Sequence, residues 1–109
     1  MQMKGYSYLD KYGIMHAASW KEDDPARTEA RKASAMETAK KYAKYNGKIA
    51  ETNLADGSGY TNENDFDVMI YAAEKEFWYG KGSARQNKLT EEQFAKKFPQ
   101  TYALYKELI

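Results

Sequence analysis

The sequence predicts an α+β fold: a small, mostly antiparallel sheet of two hairpins plus a strand, packed by one main helix, with two short C-terminal helices. Three observations lead to this class. Two segments have the pattern strand–turn–strand, one long helical segment starts with acidic residues before proline, and a Thr-x-x-Gln capping pattern opens the last part of the chain. The 109 residues suit a single domain spanning 1–109.

Composition restricts the class of protein further. The chain has no cysteine, which excludes disulfides, thiolate catalysis and thiolate zinc sites. Because small secreted domains often use disulfides, we expect a cytoplasmic location. The first residues lack the pattern of a signal peptide, and no apolar run approaches the roughly 20 residues needed to cross a bilayer. Tyrosines supply 10 of the aromatic residues, so we expect a core of rings, methionine and alanine with tyrosine hydroxyls at its edge.

The first elements in the chain are a predicted hairpin and the main helix. Strands are expected at Tyr6–Asp10 and Ile14–Ala18, since the residues between them form a turn with a glycine. Helical composition runs from Pro25 to Asn46 and is ended by Gly47. Its apolar stripe drifts around the cylinder, so the sequence predicts a helix at 34–46 and leaves open a break near Ala33.

The predicted helix 34–46 has an apolar face and a basic face. The residues expected to face the core are Met36, Ala39, Tyr42 and Ala43. The lysines expected to face water are Lys40, Lys41 and Lys44. Residues 25–48 carry seven basic and two acidic side chains, whereas residues 51–76 carry seven acidic and one basic. This asymmetry fits surfaces that face each other or water, or a basic segment that meets an anionic partner.

The middle of the chain favours strands. Alternating apolar and polar residues predict a strand over 48–54, and Gly, Ser, Asn and Asp predict a loop over 55–65. Residues 66–80 match either a helix or a hairpin. Their β-branched and aromatic content favours a hairpin with strands at 67–73 and 76–80. We expect Phe77 and Tyr79 to point inward and Trp78 to lie on the other face.

The C-terminal part predicts two short helices after a polar, basic loop over 81–88. Thr90 and Gln93 form a capping box, which predicts a helix over 91–97. Pro99 then opens a last helix that ends near Leu108. The residues that we expect it to bury are Tyr102, Tyr105 and Leu108.

No segment carries a specific catalytic, metal or cofactor motif. His16 is the only histidine, and we interpret it as a packed or edge residue because a metal site needs further ligands. The oxygen-rich stretch 56–67 lacks the glycine and glutamate positions of a calcium-binding EF-hand loop. The segment 80–83 has too short a glycine spacing for a phosphate loop, and the next helix begins too late. We therefore expect neither a metal nor a cofactor.

The leading functional hypothesis is a small, non-enzymatic domain that binds another protein. Aromatic and basic side chains near the second hairpin form its candidate partner surface. The residues of this predicted surface are Trp78, Tyr79, Lys81, Arg85 and Lys88. The alternative is a nucleic-acid-binding module that uses the basic helix 34–46 and the 78–88 loop. An enzyme that uses only carboxylates and tyrosines is the third hypothesis, and no membrane partner is expected.

Overall fold

The computed structural model describes residues 3–22, 24–54, 67–71, 75–80 and 87–109. Within these ranges it contains strands and helices that confirm the α+β class. In chain order they are β1 (Met3–Leu9), β2 (Met15–Lys21), α1 (Pro25–Tyr42), β3 (Ile49–Leu54), β4 (Asp67–Tyr71), β5 (Glu76–Gly80), β6 (Asn87–Leu89), α2 (Glu91–Lys97) and α3 (Pro99–Leu108). No helix in these ranges has the length and apolar character needed to cross a membrane.

The strands form two antiparallel sheets of three strands each. The first sheet has the order β2-β1-β3 and the second has the order β4-β5-β6. A single antiparallel bridge between Ile14 and Tyr71 joins β4 to the chain just before β2. The prediction placed the two hairpins and the extra strand in one sheet. The structure instead pairs β3 with β1 in the first sheet, and β6, which was not predicted, pairs with β5 in the second. Among the described residues only the Ile14–Tyr71 bridge links the two sheets.

Helix α1 is continuous where the sequence left a break open, and it ends earlier than predicted. It runs unbroken through Ala33. It begins at Pro25 because the Asp24 side chain accepts from the Ala26 N–H at 3.0 Å and proline suits the first turn. It ends at Tyr42 and not at residue 46. Gly47 is therefore not the helix cap: it has φ 75° and closes the next turn through its N–H bond to the Ala43 carbonyl at 3.0 Å.

The face that α1 buries was only partly predicted. Ala39 and Ala43 are buried as expected, and Ala35 is buried with them. Met36 is only half-buried and Tyr42 is exposed, so the predicted burial of these two residues is wrong. Alanines at every fourth position let the helix approach a sheet face that carries large rings. These residues form the first core: Tyr6, Tyr8, Trp20, Ala35, Ala39 and Ala43. The predicted exposure of Lys40, Lys41 and Lys44 is confirmed.

The second sheet and the C-terminal helices build a separate core. The predicted hairpin over residues 67–80 is confirmed by the pairing of β4 with β5, and Lys75 in its turn has φ 54°. The capping box of Thr90 and Gln93 opens α2 as predicted. The buried residues of this second core are Leu9, Met15, Ile70, Phe77, Phe94, Phe98, Leu104, Tyr105 and Leu108.

The last helix buries a wider set than its prediction. Tyr105 and Leu108 are buried as expected, whereas Tyr102 is only half-buried. Its hydroxyl donates to Glu91 Oε2 at 2.9 Å, so the ring lies at the edge of the second core. Thr101 and Leu104 are buried in addition. The predicted loop over 55–65 lies outside the described residues.

Candidate functional site

The outer face of β5 carries part of the predicted partner surface. The Trp78 indole Nε1 donates to Glu76 Oε2 at 3.2 Å, and both side chains lie on the same side of the strand. Lys88 stands opposite Trp78 in the β5–β6 pairing. Its Nζ donates to Glu76 Oε1 at 2.7 Å and lies 5.6 Å from the centre of the Trp78 ring. We call Glu76, Trp78 and Lys88 the Trp78 face.

Tyr79 belongs to the opposite side of the same strand. Its ring centre lies 5.3 Å from that of Phe98, in contact with the second core. Lys97 Nζ lies 3.9 Å from the centre of this ring and donates to its hydroxyl at 2.7 Å. Phe77 is fully buried on the same side. The structure therefore brings Trp78 and Lys88 together and separates Tyr79 from them, while Lys81 and Arg85 lie outside the described residues.

The only histidine has an acidic partner that the sequence analysis did not identify. His16 Nε2 and Asp10 Oδ2 are 2.7 Å apart, and the imidazole stacks on the Tyr8 ring with centres 5.7 Å apart. The other oxygen of Asp10 accepts from the backbone N–H groups of Tyr12 and Ile14 at 2.9 and 3.1 Å. The same carboxylate therefore both stabilises the β1–β2 turn and orients His16. The aspartate that precedes the predicted turn was the sequence feature that could have indicated a side chain bonded to the turn backbone.

Two pKa shifts accompany this arrangement. Partial burial raises the pKa of the Asp10 carboxyl, but bonds from His16 and from the turn backbone outweigh it and hold the pKa below its usual value. Burial raises the pKa of the Tyr8 hydroxyl, and the nearby groups of Asp10 and Tyr42 raise it further.

Exposed tyrosines also lie in the β1–β2 turn, at the last residue of α1 and in the turn after α1. In the part of the chain that the structure describes, four large hydrophobic side chains are exposed: Tyr12 (64%), Tyr42 (49%), Tyr45 (41%) and Ile109 (43%). Exposed lysines accompany the tyrosines. We call the set Lys11, Tyr12, Lys41, Tyr42, Lys44 and Tyr45 the tyrosine end. Sequence analysis assigned Tyr42 to the core and did not single out Tyr12 or Tyr45.

The described residues of the first sheet and α1 also form a groove. An open groove of about 380 Å³ runs between β2 and α1, with Trp20, Arg31 and Thr38 among its lining residues. In the described ranges no group of three or more His, Asp or Glu side chains is placed to hold a metal ion. Comparison with protein-family models, curated proteins and solved structures finds no match to this chain. Function is therefore argued from the side chains themselves.

Proposed function

We propose that this protein is a non-enzymatic domain that binds another protein through the Trp78 face. The observation that supports the proposal is the half-exposed Trp78 ring, held by a hydrogen bond to Glu76 and covered in part by the Lys88 ammonium group. Tryptophan contributes large binding energies at protein interfaces when a partner desolvates it. A ring that is already fixed loses little conformational entropy on binding.

The charges around Trp78 favour a protein over a nucleic acid at this face. The Glu76 carboxylate lies 2.7 Å from Lys88 Nζ and neutralises the nearest cation. A polyanion gains little from such a pair, because its phosphates would meet the carboxylate as well as the ammonium group. A protein surface can supply a donor for Glu76 and an apolar contact for the ring.

The proposal includes a cytoplasmic location, which the absence of cysteine supports. It needs no catalytic group, since a preformed contact face is sufficient for binding. Lys88 and the ring of Trp78 together are the residues on which affinity depends. Lys81 and Arg85, which the sequence analysis also assigned to the partner surface, follow β5 in the sequence and lie outside the described residues.

The test begins with capture of partners from the source cell, followed by titration of the purified partner by calorimetry. Trp78→Ala is expected to raise the Kd by about 30-fold or more, as for a tryptophan at the centre of an interface. Lys88→Ala is expected to raise the Kd several-fold and to leave the melting temperature unchanged. The matched control is Lys96→Ala, which removes the same charge from exposed α2.

The conservative variant Trp78→Phe separates binding from folding, since it keeps a ring in the strand. An unchanged Kd in both Trp78→Phe and Lys88→Ala would contradict the proposal. A Kd that rises equally in Lys96→Ala and Lys88→Ala would show that net charge, and not the Trp78 face, determines binding.

A further inference from the structure

We infer that the tyrosine end binds single-stranded nucleic acid, a function beyond the protein binding proposed for the Trp78 face. The inference rests on three features of this end: exposed rings, cations beside them, and turns that hold both in place. Single-stranded nucleic acids are bound by this combination, in which rings stack on bases and cations meet phosphates. The two surfaces use different secondary-structure elements, so variants can separate them.

The three rings belong to two segments that are distant in the sequence. One backbone hydrogen bond brings these segments together. Tyr12 lies in the turn between β1 and β2, whereas Tyr42 ends α1 and Tyr45 follows it. The Tyr45 N–H donates to the Leu9 carbonyl at 3.4 Å, which sets the segment after α1 beside that turn. The three exposed tyrosines therefore lie on two segments that meet beside the β1–β2 turn, whereas single exposed rings scattered over a surface need no explanation.

Lysines lie directly beside these rings. Lys11 Nζ is 4.9 Å from the centre of the Tyr12 ring, and Lys41 Nζ is 5.4 Å from that of Tyr42. Lys44 is exposed one residue before Tyr45. Among the described residues, none of these three lysines has a carboxylate within salt-bridge distance. Their charge is therefore available to phosphates, in contrast to that of Lys88 on the Trp78 face.

Both turns of the tyrosine end are ordered by side-chain bonds. Asp10 accepts from two backbone N–H groups of the first turn, and Gly13 takes φ 79° within it. Asn46 accepts from the Lys48 N–H at 3.1 Å and donates to the Leu108 carbonyl, which ties the second turn to the end of α3. Turns that are already ordered lose less entropy when a ligand binds.

The exposed rings favour a single strand over a duplex. In a duplex the bases are stacked on one another, so a flat ring gains contact only with the backbone and groove edges. Unpaired bases present a π-face that tyrosine can stack on with little sequence preference. We therefore expect oligo-dT or oligo-rU to bind more tightly than a duplex of equal length.

Fluorescence anisotropy with the full chain and labelled oligonucleotides of about 20 nucleotides tests the role of the rings. The double variant Tyr12→Leu/Tyr42→Leu is expected to weaken binding to the single strand by about 25-fold or more, since each stacking contact contributes at least about 5-fold. The variant Tyr12→Phe/Tyr42→Phe keeps both rings and is expected to bind nearly as the parent chain does. Equal affinity of the Leu and Phe variants would overturn the inference.

Salt titration tests the role of the lysines. Lys41→Ala/Lys44→Ala is expected to reduce the slope of log affinity against log salt by about 1.4, or about 0.7 for each lost phosphate contact. The control Lys21→Ala/Lys96→Ala removes the same charge from exposed positions outside the tyrosine end and is expected to change the slope little. Equal effects of the two double variants would show binding by net charge and would overturn the inference.

Two further results would also overturn it. One is the absence of measurable oligonucleotide binding at about 50 mM salt, where phosphate contacts are strongest. The other is a captured protein partner whose binding depends on Tyr12 and Tyr42 while oligonucleotides do not bind. Unchanged oligonucleotide affinity in Trp78→Ala is the expected result that separates this site from the Trp78 face.

Discussion

The two cores of this protein contain different kinds of side chain. The second core joins rings and aliphatic side chains from strands and helices, and the Phe77 ring centre lies 4.9 Å from that of Phe94 and 5.2 Å from that of Tyr105. The first core sets alanines of α1 against Tyr6, Tyr8 and Trp20 of the first sheet. It also contains the Trp20 Nε1 atom, buried without a hydrogen-bond partner among the described residues.

This difference indicates where stability and adaptability lie. Area removed from water and dense contacts between large side chains determine most of the free energy of folding. The second core has more of both, whereas the first core is a thin layer with an open groove beside Trp20. The tyrosine end borders both cores, since Ala43 of the first core lies between Tyr42 and Tyr45, and the Tyr45 N–H donates to the carbonyl of Leu9 in the second core.

The largest expected effect tests the strength of the second core. Phe77→Ala is expected to lower the free energy of unfolding by about 3–5 kcal/mol, because it leaves a cavity among the aromatic rings of α2 and α3. Urea unfolding followed by circular dichroism measures the loss. The matched change in the first core is Tyr6→Ala, whose ring centre lies 4.9 Å from that of Trp20. A larger loss for Tyr6→Ala than for Phe77→Ala would reverse the comparison.

The next effect tests the close approach of α1 to the first sheet. Ala39 is fully buried in the first core, so Ala39→Leu adds three carbons between α1 and the first sheet and is expected to cost about 1–3 kcal/mol of unfolding free energy. Ala33→Leu, on the exposed side of the same helix, is the control and is expected to stay within about 0.5 kcal/mol of the parent. If Ala39→Leu stabilises the protein, the first core holds unfilled space.

A smaller effect concerns the helix that closes the second core. The Thr90 hydroxyl accepts from the Gln93 N–H at 3.2 Å, and the Gln93 side chain accepts from the Thr90 N–H at 3.1 Å. Thr90→Ala is expected to cost about 1 kcal/mol, because it leaves an N–H group of the first turn without its cap. Thr90→Ser keeps the hydroxyl and is expected to restore most of the loss in thermal or urea unfolding. Equal losses for Ala and Ser would assign the effect to packing.

Local signals in the sequence were enough to predict the elements that depend on neighbouring residues. The Asp24-Pro25 start of α1 and the capping box of α2 are complete within a few residues, and both hairpins have their turn residues beside their strands. The opposite directions of Phe77 and Trp78 follow from alternation along one strand. These predictions needed no knowledge of distant contacts.

The predictions failed where the structure depends on contacts between residues that are far apart in the sequence. Helix α1 has alanines on several faces, and only the rings of the first sheet select the stripe of Ala35, Ala39 and Ala43. Likewise, β6 has three residues and forms because β5 offers an edge to pair with. The tyrosine end could not be predicted, because the contact of Tyr45 with Leu9 joins residues 36 positions apart.

The smallest expected effect is a pH dependence of the hairpin that supports the tyrosine end. The pKa of Asp10 is below its usual value, so the folded state holds the Asp10 proton less tightly than the unfolded state. Asp10 therefore stabilises the fold above its unfolded pKa, and this contribution is lost as pH falls through the lower folded pKa. Asp10→Asn keeps an oxygen for the turn N–H groups but removes the charge that faces His16. Because His16 is partly exposed, we expect a loss under about 1 kcal/mol at neutral pH, measured by urea unfolding. The difference between the parent and Asp10→Asn should shrink as the solution is acidified through the pKa of Asp10. A difference that stays constant through that range would show that Asp10 acts through shape alone.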